Sequence, residues 1–119
     1  MNQILERNVL IVDDSDLLLD RLKKSLMDSN LNLRIDMAGT CREATDLFLN
    51  CFYETIILDI NLPDGSGISL LREIKRLHPS TKVIMFTNYA TSEFNKSCME
   101  FGADHFFSKT EMTGLLKAF

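Results

Sequence analysis

The sequence predicts a doubly wound α/β fold, a five-stranded parallel sheet with helices on both faces. Short β-rich apolar runs alternate with segments of helical periodicity along the whole chain. The run at 55–60 is almost continuously apolar, the mark of a strand buried on both faces. Parallel strands joined through helices cross over right-handedly, which winds such a sheet outward in both directions.

The elements follow in order. Residues 9–12, Val-Leu-Ile-Val, form the first strand. Ser15 then offers an N-cap to a helix whose Leu18, Leu19, Leu22 and Leu26 recur at helical spacing. Residues 33–37 alternate apolar and polar, as a half-buried strand near a sheet edge does. Thr40 caps the second helix, Glu43 completes a capping box, and Ala44, Leu47 and Phe48 give its buried stripe. Residues 55–60 are the central strand, and the Asn-Leu-Pro-Asp-Gly-Ser-Gly that follows reads as loop throughout.

Ile68, Leu71 and Ile74 carry a third helix as far as His78-Pro79, which stops it. Residues 82–87 are the fourth strand, and a helix from Ser92 to Phe101 ends at Gly102. Residues 104–108 form the fifth strand and 111–119 the last helix, where Gly114 costs about 1 kcal/mol relative to Ala. Strand alternation sends one of Phe106 and Phe107 to the core and the other to the surface, with His105 pointing outward toward a partner surface. His78 is expected to face solvent, and Met85, Met99 and Met112 to fill the core or its edge.

Composition narrows the function. At 119 residues the chain is one domain by size, and 45% apolar with 25% charged residues is ordinary for a globular protein. A net charge of −4 argues against direct nucleic-acid binding, which needs a basic stripe. Cys41, Cys51 and Cys98 form no CxxC pair and are odd in number, which fits a reducing compartment better than a disulfide framework. The start, MNQILERN, is too short and too charged for a signal peptide, and no apolar run approaches the roughly 18 residues of a membrane span. A soluble cytoplasmic protein that touches neither membrane nor nucleic acid is expected.

In a doubly wound sheet, ligands bind beyond the carboxyl ends of the strands, where the strand order reverses. The residues at those ends are Asp13 and Asp14, Asp59, Thr87 and, just past the fifth strand, Lys109. Carboxylates crowded there repel one another unless something positive sits among them. A hard divalent cation answers this, since Mg²⁺ takes oxygen ligands and keeps several waters. Lys109 supplies a second positive charge, and Thr87 a hydroxyl able to donate to a new anionic oxygen. These are the parts needed to move a phosphoryl group onto an aspartate, a transfer that needs positioning and charge neutralisation above all.

The same residues resemble the receiver domains of two-component response regulators, with their flavodoxin-like (βα)5 fold. The motifs are Asp13-Asp14 after VLIV, Asp59 in IILDINLPDGSG, Thr87 in VIMFTN and Lys109 in GADHFFSK, and the likeness runs the length of the chain. It implies that Asp59 is the phosphoacceptor, charged by a sensor histidine kinase or a histidine phosphotransfer protein. It also implies a Mg²⁺ site, with Mn²⁺ the alternative, formed by Asp14, by Asp13 directly or through water, by Asp59 and by the backbone carbonyl of Asn61.

Lys109 would pair with the phosphoryl oxygens, Thr87 would swing toward them, and Phe107 would turn inward as Thr87 moves. A downstream protein would read the change near the fourth helix, fifth strand and fifth helix. Receivers usually carry a cis proline after the lysine, where this chain has Thr110, so a trans bond is expected to shift the following loop. Asn88 and Tyr89, just beyond Thr87, are expected to tune access to the site.

Other classes fit less well. A flavin mononucleotide carrier would have to cradle a phosphate where DDSDLLLD places repelling charges, and an aspartate-nucleophile phosphohydrolase needs a second acid where Asn61 stands. A receiver-like scaffold acting by contact without phosphorylation is the nearer alternative. The expectation is a single receiver domain over residues 1–119, a phosphoacceptor and not an enzyme, monomeric or weakly dimeric. The remaining alternative is the receiver fragment of a larger regulator.

Overall fold

A computed structural model describes residues 6–29 and 32–119; the reading of the first residues as no signal peptide falls largely outside them. Five parallel strands make one sheet: β1 (Arg7–Val12), β2 (Leu33–Ala38), β3 (Thr55–Leu58), β6 (Lys82–Thr87) and β7 (His105–Ser108). Their order is β2-β1-β3-β6-β7, so the winding reverses between β1 and β3. The helices are α1 (Asp16–Met27), α2 (Cys41–Asn50), α3 (Gly67–Leu77), α4 (Ser92–Glu100) and α5 (Met112–Ala118).

Alternation along the strands divides the core in two. Leu10, Val12, Ile56, Leu58, Val83 and Met85 face Ala44, Phe48, Leu71, Ile74 and Cys98 from α2, α3 and α4. Val9, Ile11, Ile57, Ile84 and Phe86 face Leu19, Leu22, Leu26 and Leu115 from α1 and α5. Each buried Val, Leu, Ile, Met or Phe among them contributes roughly 1.5–3 kcal/mol by leaving water. The sandwich is what the alternation of runs predicts.

Local chemistry ends the helices where expected. Ser15 Oγ accepts from the Leu18 amide at 3.3 Å, and Thr40 Oγ1 from the Glu43 amide at 3.1 Å. The Glu43 carboxylate bonds the Thr40 hydroxyl at 3.1 Å. At the end of α4, Gly102 takes φ 99°, while the amides of Gly102 and Ala103 return to the carbonyls of Met99 and Cys98.

Several expectations need correction. Residues 61–66 are not all loop: β4 (Asn61–Leu62) and β5 (Gly65–Ser66) pair antiparallel as a small hairpin. It forms because Leu62 is buried in the core and because Gly67 turns the chain back, its amide reaching the Ile60 carbonyl at 2.6 Å. The strand before it stops at Leu58, short of Ile60. Phe106 and Phe107 are both half-buried, one against each core, because helices cover both faces at this edge.

His105 does not stand free in solvent either; its ring stacks on Phe107 with centroids 5.9 Å apart. His78 lies half-buried, its Nε2 3.1 Å from the Phe48 carbonyl and its ring edge-on to Phe52. Met85 is fully buried as expected, but Met99 is 45% exposed. No helix among the described residues is long and apolar enough to cross a membrane.

Candidate functional site

The reversal of strand order places the ends of β1 and β3 side by side, and the backbone ladder runs into both acids. The Asp13 amide donates to the Ala38 carbonyl and the Asp59 amide to the Val12 carbonyl, each at 3.0 Å. Both side chains are therefore fixed at their roots. Asp13 is 2% exposed and Asp59 4%, a placement that costs several kcal/mol per ion unless the charges are matched.

The match is partial. Lys109 Nζ donates to Asp13 Oδ2 at 2.7 Å and to Asp59 Oδ2 at 2.9 Å. The second oxygens are held by backbone, Asp13 Oδ1 by the Ser15 amide at 2.9 Å and Asp59 Oδ1 by the Ile60 amide at 2.8 Å. Asp14 is exposed at the rim, and Asp13, Asp14 and Asp59 can each bring a carboxylate oxygen within 4.8 Å of the others. Two carboxylates share one ammonium, and a third stands beside them.

The charges respond to this crowding. Burial raises the Asp13 carboxyl above its ordinary 3.8 against the pull of Lys109 and the Ser15 amide, and Asp59 adds to the rise. Burial would lower the Lys109 ammonium below 10.5, but its bonds to Asp13 and Asp59 outweigh that and raise it. Lys109 is cationic throughout the neutral range.

Every described peptide bond is trans, Lys109-Thr110 included. The turn after Lys109 is closed by side chains: Ser108 Oγ accepts from the Thr110 amide at 3.2 Å, and Glu111 Oε1 from the Ser108 amide at 2.9 Å. The Lys109 amide also reaches the Thr87 carbonyl at 3.0 Å, tying the two strand ends together.

Thr87 is fully buried, and its Oγ1 accepts from the Tyr89 amide at 3.0 Å. Asn88 and Tyr89 are exposed beyond it, and the Tyr89 hydroxyl accepts from Asn61 Nδ2 at 3.2 Å. That contact joins the loop after β3 to the loop after β6. Phe107 stands opposite Phe86 on the neighbouring strand, its ring so near α5 that a Cβ on Gly114 would stand 3.1 Å from it.

Sequence reasoning missed the Tyr89–Asn61 bridge and the role of Asp64. The Asp64 carboxylate accepts from the Cys41 amide at 2.7 Å and from the Arg42 amide at 3.0 Å. Those amide bonds hold its carboxyl below the ordinary value, with burial opposing them. The available signal was a short acceptor at a tight turn, which does not name its partner.

Comparison with known proteins agrees with this geometry. The sequence pattern of the response regulator receiver domain matches residues 9–119. The response regulator protein PilR of Pseudomonas aeruginosa is 32% identical over 111 residues, covering 93% of this chain and 24% of PilR. The chain spans only 24%, 28% and 50% of three curated relatives.

Among solved structures, a CheY-like receiver domain protein from Methanospirillum hungatei superposes with a TM-score of 0.82 at 30% identity, covering 96% of each chain. A response regulator from Burkholderia pseudomallei, solved with a phosphorylated aspartic acid, a calcium ion and citrate, gives a TM-score of 0.80. It is 26% identical and covers 87% of this chain and 59% of its own. The sheet with its acidic edge and the match over residues 9–119 together decide the family: this chain belongs to the response regulator receiver domains.

Proposed function

We propose that Asp59 accepts a phosphoryl group from a phosphohistidine of a sensor histidine kinase or histidine phosphotransfer protein. The observation that carries this is Lys109 held between Asp13 and Asp59 with Asp14 alongside, a set of charges poised for a larger anion. A carboxylate oxygen of Asp59 forms the new O–P bond while the P–N bond to the donor breaks. The imidazole leaves with the bonding electron pair and takes a proton.

The chain's own residues would supply positioning. Lys109 moves from the Asp59 carboxylate to the phosphoryl oxygens, which needs little more than a shift of its Nζ. Thr87 turns its hydroxyl from the Tyr89 amide toward the same oxygens. Phe107 follows the space that Thr87 leaves, and the change of charge at one edge reaches α4, β7 and α5, where a downstream protein reads it. Asn88 and Tyr89 set access, and the Tyr89–Asn61 bridge supports slow loss of the phosphoryl group to water.

The donor set fits a divalent cation, because three clustered carboxylates face one ammonium and all are oxygen ligands. Asp13, Asp14, Asp59 and the Asn61 carbonyl would hold it, Mg²⁺ first and Mn²⁺ second. When bound it neutralises charge on the transferring phosphoryl oxygens. The phosphorylated aspartic acid and calcium ion of the Burkholderia pseudomallei protein support both the acceptor and the metal.

The domain would act in the cytoplasm as one receiver over residues 1–119, monomeric or weakly dimeric. The much greater length of three relatives supports a second reading, in which the receiver governs an attached output. Incubation with acetyl phosphate or a phosphoramidate and Mg²⁺, followed by intact mass, tests the chemistry. The wild type gains one phosphoryl group and Asp59→Asn none; labelling of both moves the acceptor elsewhere.

A further inference from the structure

The proposed metal site draws on two separate pieces of chain, and something must fix the distance between them. One piece is the end of β1, with Asp13 and Asp14. The other is the β4–β5 hairpin, whose first residue is Asn61. Pairing of Asn61 with Ser66 and of Leu62 with Gly65 makes the hairpin a unit, and burial of Leu62 sets its root. Its tip, Pro63 and Asp64, is exposed.

Asp64 ties that tip across to α2. Its two oxygens take the first two amides of the helix, Cys41 and Arg42, while Thr40 takes the Glu43 amide. Such bonds are charge-assisted and aligned with the helix dipole. Gly65 comes so close to α2 that an added Cβ would stand 3.2 Å from Cys41 Sγ.

The start of α2 is in turn bound to the acids of β1. Ala38, the last residue of β2, accepts the Asp13 amide at 3.0 Å. Gly39 follows, with room for a Cβ 3.8 Å from the Asp13 carbonyl oxygen, and then Thr40. A closed ring results, from Asp13 through Ala38 and the head of α2 to Asp64, the hairpin, Asn61 and Asp59. Without Asp64 the ring opens at its exposed side.

We infer that Asp64 is a positioning residue for the metal site, setting the Asn61 carbonyl against Asp13 and Asp14 through the head of α2. The inference rests on the metal-binding reading given above. Side chains that hydrogen-bond a metal ligand are worth about 10–100-fold in affinity. Asp64 acts one step further out, through backbone, so a loss of about three- to tenfold is expected for Asp64→Asn.

Calorimetric titration of Mg²⁺ into wild type, Asp64→Asn, Asp64→Ser and Thr40→Ala, each with its thermal melt, tests this. Asp64→Asn should bind Mg²⁺ more weakly by that factor, and Asp64→Ser should do the same should the amide variant not fold. Thr40→Ala removes a cap from the same helix without touching the hairpin, so its melt should fall while its Mg²⁺ affinity stays within about twofold. Equal affinity in wild type and both Asp64 variants would overturn the inference alone. Equal weakening by Thr40→Ala would also overturn it, by reducing Asp64 to a helix cap. No binding by the wild type would overturn it together with the metal-binding reading.

Discussion

The two ends of the sheet each hold a lysine bonded to acid, at nearly equal depth, and they differ in how the charges are matched. At the amino end the Lys75 side chain is 16% exposed and at the carboxyl end the Lys109 side chain is 15% exposed. Lys75 Nζ meets Asp104 Oδ2 at 2.8 Å and the Thr81 carbonyl at 2.6 Å, and Asp104 also takes the Val83 amide at 2.8 Å. One acid, one base and two backbone groups close that network. At the other end one ammonium faces Asp13, Asp59 and the nearby Asp14. A lysine that is matched one for one reads as structure; a lysine outnumbered by acids reads as a place kept for another ligand.

Substitutions can break or sharpen this contrast. The largest effect is expected at Gly67, where an added Cβ would lie 1.8 Å from the Asp59 carbonyl oxygen. Gly67→Ala must displace the backbone of Asp59 or of α3. It should cost about 3 kcal/mol or more in urea unfolding and abolish phosphorylation of whatever remains folded.

Next come the paired acids, with opposite signs. Asp104→Asn should destabilise by about 1–2 kcal/mol in EDTA and leave phosphorylation intact. Asp13→Asn should instead stabilise by about 1 kcal/mol, because it removes a buried acid from an over-supplied site, while phosphorylation falls. Loss of stability in both variants would dissolve the contrast.

Their pH dependence follows from the direction of each shift. At Asp104 burial works upward, but Lys75 and the Val83 amide hold the carboxyl below 3.8. Its contribution is therefore full above about pH 4 and is lost as pH falls through the lower folded value. The Asp13 carboxyl is raised, so its charged form costs stability at neutral pH and that cost lifts as pH falls toward 3.8. Melts of the two variants against wild type should thus converge in different windows, Asp13→Asn first on acidification.

The smallest effect is expected at Gly114. Alanine there gains about 1 kcal/mol of helix propensity but meets the Phe107 ring at 3.1 Å. Gly114→Ala should be near neutral alone and stabilising in a Phe107→Leu background, a double-mutant cycle that reads the contact directly.

Much of this was legible in the chain. Ser15, Thr40 and Gly102 end helices by chemistry local to their own turns, so sequence suffices to place them. The acids and Lys109 at strand ends were legible too, because parallel winding puts all such ends at one edge. What escaped depends on partners far along the chain. Asp64 bonds amides 22 and 23 residues away, and Lys75 reaches Asp104 across 29. The hairpin strands have two residues each, too few to show a period. Covering of both Phe106 and Phe107 reflects where α4 and α5 pack, which alternation alone does not say.

Cys41 sits where the hairpin meets α2, and this gives the protein a built-in reporter. Its thiol is pushed up to about 11 by burial and by the neighbouring Asp64 carboxylate. Thiolate is the species that alkylating reagents attack, and at neutral pH its fraction here is on the order of a hundredfold below that of a thiol at the ordinary value, so labelling should be slow. Withdrawal of the carboxylate removes part of that protection. The rate of iodoacetamide capture at Cys41, mapped by peptide mass, therefore follows the opening of this corner without any added label.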